Sequence, residues 1–334
     1  MSSIYLDHAA TTPLDPVVLQ AMLPYLTHEF GNPSSIYSLG QSAHAAIQSA
    51  RQDVARITGF DPAEVVFTSG STESIRTALT GVAWSARKRG IATPHIVTTA
   101  IEHSAVLETA AWLESAGFAS TRVHPNSEGI IDPDDVIAVL TPDTVLVSVM
   151  AANNEVGSLQ PVREIGELLR KRAIPFHVDA TQAAGTLPID RAALGASLLS
   201  ISAHKFYGPK GVGVLAVDRS VPLDWAVTAG SQEGGKRGGT ENVAGIVGLG
   251  TALTRSDTSR EAYAEHCRAM RDRLWAGIQE RIPDVELNGP PLGPDRLPSN
   301  LNLRIPGLQG ETMLVNLDLM GIAASAGSAC TVGR

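Results

Sequence analysis

Lys205 closes the run Ser202-Ala203-His204-Lys205, directly after the apolar stretch ALGASLLSI and shortly before Gly208-Pro209-Lys210-Gly211. An amine at the mouth of an apolar strand is poorly solvated, which lowers its pKa and makes it a usable nucleophile. Most lysines are solvated loop residues, but few arrive with a serine and a histidine where a buried run stops. Asp179 and Gln182 lie in a second such run, IPFHVDATQ, with Asp179 placed 26 residues before the lysine. A carboxylate there can pair with a protonated heterocycle nitrogen, as the aspartate partner of a pyridoxal phosphate ring does. It can equally cap a helix. The lysine that follows on the next strand favours a cofactor.

Three further groups carry chemistry. Ser69-Gly70-Ser71-Thr72 precedes a helical pattern, and small residues at a helix N-terminus let backbone N–H groups and the helix dipole receive a phosphate. No Gly-Lys-Ser/Thr follows, so this is not a P-loop, and plain capping by Ser71 or Thr72 stays open. His103 follows a strand and opens a helix, where its ring could stack on a planar group, move protons, or serve structure alone. Cys330 sits among small residues in Ser325-Ala326-Gly327-Ser328-Ala329-Cys330, the setting of an accessible thiol. Cys267, in EAYAEHCRAM, fits the buried side of a helix. The remaining histidines show no metal-ligand spacing with each other or with the cysteines, so no structural zinc is expected.

The elements that position these residues repeat strand, turn and helix. EVVFTSG (64–70), HIVTTAIEHSAV (95–106) and TVLVSVMAANNEVG (144–157) each begin apolar and end polar, and helical patterns follow the first two to about Lys88 and Ala116. A helix around 161–172 leads to the Asp179 strand, and GVGVLAVD (211–218) reads as an antiparallel return. Repeated βα units with apolar strands predict an α/β fold with a mostly parallel sheet covered on both faces. Ligands in such sheets bind outside the carboxyl ends of the strands. Before the repeats come a short N-terminal strand, a helix opened by Asp15-Pro16, and a helix over roughly 40–58 that ends at Gly59. After them comes the Gly-rich, basic segment Ala229–Thr240, read as an exposed functional or interface loop. A helical pattern over about 243–282 is expected to hinge near Arg255–Ser259 into a second, smaller domain, with 288–298 as a connector to one strand and one helix.

Composition bounds the rest. With 334 residues, 43% hydrophobic and 18% charged, the chain is an ordinary globular protein with room for two domains. A net charge of −8 argues against nucleic acid or an anionic membrane as the main partner. There is no signal-peptide pattern and no uninterrupted apolar span of about 18 residues. Two cysteines 63 positions apart make no disulfide framework, so a reducing cytoplasm is the expected setting.

Taken together, YLDHAATTP, FGNPSS, TSGSTES, EHSAVL, NNEVG, HVDATQ, SAHKFYGPKG, QEGGKRGGTEN, NGP and GSAC occur in this order along nearly the whole chain. In this the chain resembles the cysteine desulfurases of the class V aminotransferase group, in the branch with a Gly-Ser-Ala-Cys loop. The resemblance implies a fold-type-I aminotransferase-like architecture: a mostly parallel seven-stranded sheet sandwiched by helices, plus a small α/β domain that looks incomplete. It implies a large cofactor-binding domain over 13–258 and a small domain from 1–12 and 259–334. It implies pyridoxal 5'-phosphate as cofactor, L-cysteine as substrate and L-alanine as product. Lys205 would hold the cofactor and then transfer protons, Asp179 would pair with the pyridinium nitrogen, and Gln182 and Asn154 would lie at the phenolic oxygen. Ser71, Thr72, Ser202 and His204 would bind the phosphate, with Thr240 reaching it from a second subunit of a homodimer. His103 would stack on the ring and act as an acid or base. Cys330 would take the sulfur as a persulfide and pass it to an acceptor such as an iron–sulfur scaffold protein, with transient iron–sulfur ligation as a further role.

Two departures from that group stand out. Ala229-Gly230-Ser231-Gln232-Glu233 replaces a Gly-Gly-Gly-Gln-Glu stretch. The chain also ends four residues after Cys330, whereas the group continues for several tens of residues that supply an arginine for the substrate carboxylate. Arg304 and Arg334 are the candidates to replace it. A second expectation follows: a truncated homologue that binds pyridoxal phosphate and dimerises but acts mainly as a binding or assembly partner.

Overall fold

The computed structural model describes residues 4–327. The chain opens with strand β1 (Ile4–Tyr5) and helices α1 (Pro16–Thr27) and α2 (Ser38–Thr58). Next come β2 (Val65–Thr68), α3 (Ser71–Lys88), β3 (His95–Thr99), α4 (Ser104–Ser115), β4 (Ala119–Val123) and α5 (Pro133–Ala138). The central units follow: β5 (Thr144–Met150), α6 (Val162–Arg170), β6 (Phe176–Asp179), α7 (Arg191–Leu194), β7 (Leu198–Ser202) and β8 (Gly213–Val217). The chain continues through α8 (Val243–Arg281), β9 (Glu286–Leu287), β10 (Leu303–Arg304), α9 (Gly310–Leu319) and β11 (Ile322–Ala323).

Local chemistry explains several boundaries. Asp15 caps α1 by accepting from Val17 N at 2.7 Å, with Pro16 preset in the first turn. Gly59 ends α2 in the left-handed region, φ +72. The sheet has seven strands in the order β2-β8-β7-β6-β5-β3-β4, parallel except for β8, which runs against both of its neighbours. All of its strands but β4 are buried on both faces. Val147, Val149, Val178 and Ile201 face α1, α2, α6 and the first half of α8, while Leu146, Leu198 and Leu215 face α3 and α4. Each fully buried side chain of this kind contributes about 1.5–3 kcal/mol.

Two features differ from the sequence expectation. β4 is an edge strand that the sequence did not reveal, because ASTRV is polar and only half-buried against α4. Helix α8 runs unbroken through 255–259, since no glycine or proline interrupts it there. β1 pairs in parallel with β11, so the two ends of the described chain meet in one small sheet. β9 and β10 form an antiparallel pair beside it in sequence. No helix among the described residues is long and apolar enough to cross a membrane.

The sheet also contains a buried polar row. His177 on β6 is fully buried, and its ring nitrogens bond Ser148 Oγ on β5 and Ser200 Oγ on β7, each at 2.8 Å. Burial lowers its pKa to about 3, so the ring stays neutral and exchanges hydrogen bonds rather than charge. The unfolded chain therefore takes up a proton below about pH 6.5 that the folded chain refuses. Stability from this ring is complete above that pH and is lost as pH falls. His177→Asn should destabilise the fold at pH 7.5. That deficit should shrink by about 1.4 kcal/mol per pH unit below about 6.5, read as the difference between wild-type and variant urea unfolding curves.

Candidate active site

The carboxyl ends of β2, β3, β5, β6 and β7 all open on one edge of the sheet, and each delivers polar side chains there. β7 ends at Ser202, and one 3-10 turn, Ala203–Lys205, carries Lys205 over that edge. Tyr207, just beyond, has a left-handed backbone, φ +64, which a tyrosine adopts only when its surroundings hold it. The N-terminal segment does so. Thr12 Oγ1 donates to His204 O at 3.0 Å and accepts from Tyr207 N at 2.7 Å, while Asp15 N donates to Tyr207 O at 3.0 Å. Lys205 Nζ donates to the carbonyls of Ala9 and Ala10, the latter at 2.9 Å. Gln182 Nε2 donates to the same Ala9 carbonyl at 3.0 Å, which brings two of the expected residues together.

Asp179 ends β6 and is 5% exposed. Its Oδ1 accepts from the backbone N–H of Thr181 at 3.0 Å and from the Thr181 hydroxyl. Burial pushes its carboxyl upward, against those two hydrogen bonds and the nearby positive groups of His103 and Lys205. His103 caps α4. Its Nδ1 accepts from Ala105 N at 3.1 Å, so the neutral ring carries its proton on Nε2. The capping and cofactor-facing roles are therefore compatible in one side chain. His204 shares a hydrogen bond with Thr11 Oγ1 at 3.1 Å. Burial, and then the cations Lys205 and Lys210, lower its pKa to about 4.

Ser71 and Thr72 begin α3, whose first N–H groups lack helical partners. A Cβ on Gly70 would lie 3.6 Å from Ser202 Oγ, so that helix start and the end of β7 adjoin. A Cβ on Gly213 would lie 2.7 Å from Gly70 Cα and 2.7 Å from Ile201 O, so this approach of β8 to the helix start requires glycine. Glu73 accepts from Ser69 N at 2.7 Å and from Arg237 Nε at 3.0 Å. Burial raises its pKa, but those hydrogen bonds outweigh it and hold the carboxyl below its ordinary value.

The glycine-rich segment is fastened more firmly than its composition suggests. Glu233 grips Arg51 through two bonds of 2.7 and 2.9 Å and accepts from Phe67 N on edge strand β2 at 2.9 Å. Thr240 stands exposed at the end of this loop. Asn154 follows β5, where its neighbour Asn153 does the fastening: Nδ2 donates to Ile101 O at 3.0 Å, and Oδ1 accepts from Glu155 and Val156 N, each at 2.9 Å. Arg304 is exposed and donates to Glu286 Oε2 at 2.6 Å across the β9–β10 pair. Cys330 and Arg334 lie outside the described residues. Among the described residues, no group of three or more His, Cys, Asp or Glu is placed to hold a metal ion.

The family model described as aminotransferase class-V matches residues 4–333. The chain belongs to that family. Among curated class-V relatives, it is 46% identical over 327 residues to the cysteine desulfurase IscS of Clostridium botulinum, covering 98% of this chain and 82% of that protein. Among solved structures, a NifS-like protein superposes with a TM-score of 0.92 at 37% identity, covering 97% of this chain and 87% of that one. SspA in complex with cysteine gives a TM-score of 0.84 at 34% identity, covering 98% of this chain and 90% of that one. The class-V chain thus has the fold-type-I architecture that its motifs imply.

Sequence reasoning missed Thr12, Thr181, Asn153 and the carbonyls of Ala9 and Ala10. Backbone carbonyls have no sequence signature, and Thr12 acts on residues almost two hundred positions away. The side chain of Thr12 is the cheapest place to test the lysine turn. Thr12→Val removes two hydrogen bonds at a site 2% exposed, and should cost about 1–3 kcal/mol in urea unfolding. Amide exchange at Tyr207 should accelerate beyond the global change.

Proposed function

We propose that this class-V chain is a pyridoxal-phosphate-dependent cysteine desulfurase. It converts L-cysteine to L-alanine and places the released sulfur on Cys330 as a persulfide. The observation that carries the reading is the convergence of Lys205 and buried Asp179, with the N-terminus of α3 beside them. This donor set fits the cofactor: an amine for an aldehyde, a buried carboxylate for a protonated ring nitrogen, and helix N–H groups with hydroxyls for a phosphate. When bound, pyridoxal phosphate supplies an electron sink for the substrate.

The chain's own residues divide the remaining work. Lys205 holds the cofactor through its amine and later moves protons at the substrate carbons from Nζ. Asp179, oriented by Thr181, would pair with the ring nitrogen, whose positive charge would favour the carboxylate form. Ser71, Thr72, Ser202 and neutral His204 hold the phosphate, and Thr240 completes that set from the second subunit of a homodimer. Gln182 and Asn154 would lie at the phenolic oxygen. His103 would stack on the ring, with Nε2–H available for proton transfer. The Cys330 thiolate attacks Sγ of the bound cysteine. The Cβ–Sγ bond breaks with its electron pair left on Cβ, a proton makes that carbon the methyl group of alanine, and Cys330 keeps the sulfur.

The persulfide then passes to an acceptor protein, for iron–sulfur cluster assembly or thiolation, in the cytoplasm. The division into a unit over 13–258 and one from 1–12 with 259–334 belongs to the same reading, and the β1–β11 pairing supports it. The chain purified with pyridoxal phosphate should show the cofactor's long-wavelength absorbance and release alanine from cysteine. Lys205→Ala should lose both, and Cys330→Ala should keep the absorbance and lose transfer of sulfur to an acceptor. Cofactor binding and dimerisation without alanine would instead identify a binding or assembly partner.

A further inference from the structure

Glu102 lies in the turn between β3 and α4, one residue before His103, and is 5% exposed. One oxygen, Oε1, accepts both of its hydrogen bonds. Oε1 accepts from Thr99 Oγ1 at 2.7 Å and from Met150 N at 2.9 Å. Thr99 ends β3 and Met150 ends β5, so this atom ties the His103 turn to two neighbouring strand ends. Asn153 reinforces the tie from β5, through Ile101 O at 3.0 Å. Oε2 is buried and has no hydrogen-bond partner among the described residues.

A clamp alone does not need a carboxyl group. A buried carboxylate with one bare oxygen is costly, because its desolvation is uncompensated. The arrangement becomes tolerable when Oε2 carries a proton and the group is a neutral acid. Burial, opposed by the bonds from Thr99 and Met150 and assisted by the negative charge of Asp179, raises the pKa to about 8. Asp179 on β6 is the facing anion, and His103 and Lys205 are the positive groups that in turn face Asp179. A neutral Glu102 can therefore hold the histidine turn without setting a second negative charge against Asp179.

We propose, resting on the pyridoxal phosphate reading above, that Glu102 is a positioning residue of this site: a buried neutral acid that locks the His103 turn to the ends of β3 and β5 and fixes the histidine ring beside Asp179. Glu102 acts through His103 and touches neither substrate nor cofactor. A glutamine reproduces the neutral acid, keeping the Oε1 acceptor and placing a donor where the proton sits. Alanine removes the clamp, and Thr99→Val removes one of its donors with little change of shape.

The test uses the full chain with pyridoxal phosphate and L-cysteine, in wild-type and His103→Ala backgrounds. Glu102→Ala should lower kcat for alanine release by about ten- to a hundredfold, as small misplacements of reacting groups do. KM should move less than about threefold. Thr99→Val should act in the same direction, and Glu102→Gln should stay within about threefold of wild type. In the His103→Ala background, Glu102→Ala should cost less than about twofold more, because coupled residues are not additive. The carbon-bound proton resonances of the His103 ring, assigned by their loss in His103→Ala, should shift in Glu102→Ala and not in Glu102→Gln.

Glu102→Gln as damaging as Glu102→Ala would show that an ion is needed and overturn the proposal. So would an equal cost of Glu102→Ala with and without His103. If Glu102→Ala does not fold, Thr99→Val against Glu102→Gln decides. If the wild-type chain releases no alanine, the desulfurase reading fails, while the His103 resonances still decide the role of Glu102.

Discussion

Burying a carboxyl group at the end of a central strand is the constraint on which this site depends. Asp179 is nearly sealed at the end of a central strand, where burial alone would protonate it. The structure opposes that with two hydrogen bonds from Thr181 and with the positive groups of His103 and Lys205. The other titratable groups around it are pushed toward neutrality. His177, two residues back on the same strand, and His204 stay uncharged at neutral pH, and burial pushes the Glu102 carboxyl up to about 8. A ligand bringing a protonated nitrogen to this edge would supply Asp179 with the positive partner that its burial calls for.

The same economy explains why the N-terminal segment lies where it does. A lysine at a strand end needs acceptors, and a neutral backbone can supply them without adding charge. The carbonyls of Ala9 and Ala10 meet the amine, and Thr12 closes the strained turn around Tyr207. These contacts span about 195 residues of chain, so the site is assembled by the tertiary fold rather than by any one motif.

How much of this was legible in the sequence follows from the physics of each signal. Lys205, Asp179 and the start of α3 stood out because strands buried on both faces are continuous apolar runs, and polar residues at their ends break the pattern. β4 lacked that contrast because an edge strand is half solvated. The unbroken course of α8 was hidden because a polar, charged stretch without glycine or proline reads the same in a hinge and in a helix. Glu102 stood in plain view beside His103, yet a glutamate in a turn is ordinarily solvated. Only its burial changes its meaning.

The N-terminal segment also links the rigid sheet edge to the chain that leads toward Cys330. Ser325 Oγ donates to Asp7 Oδ1 at 2.8 Å, just after β11, and Asp7 lies two residues before Ala9. A Cβ on Gly327 would sit 3.8 Å from Glu155 Oε2, beside the end of β5 that carries Asn153 and Asn154. The last described residues therefore approach the same edge that Lys205 and Asp179 occupy, with Ser325 fastened to Asp7. A fixed platform of strand ends beside the chain that leads toward Cys330 suits chemistry in which one sulfur must first meet a bound amino acid and then leave. The parallel sheet supplies the fixed part, because burying both of its faces immobilises every strand end at once.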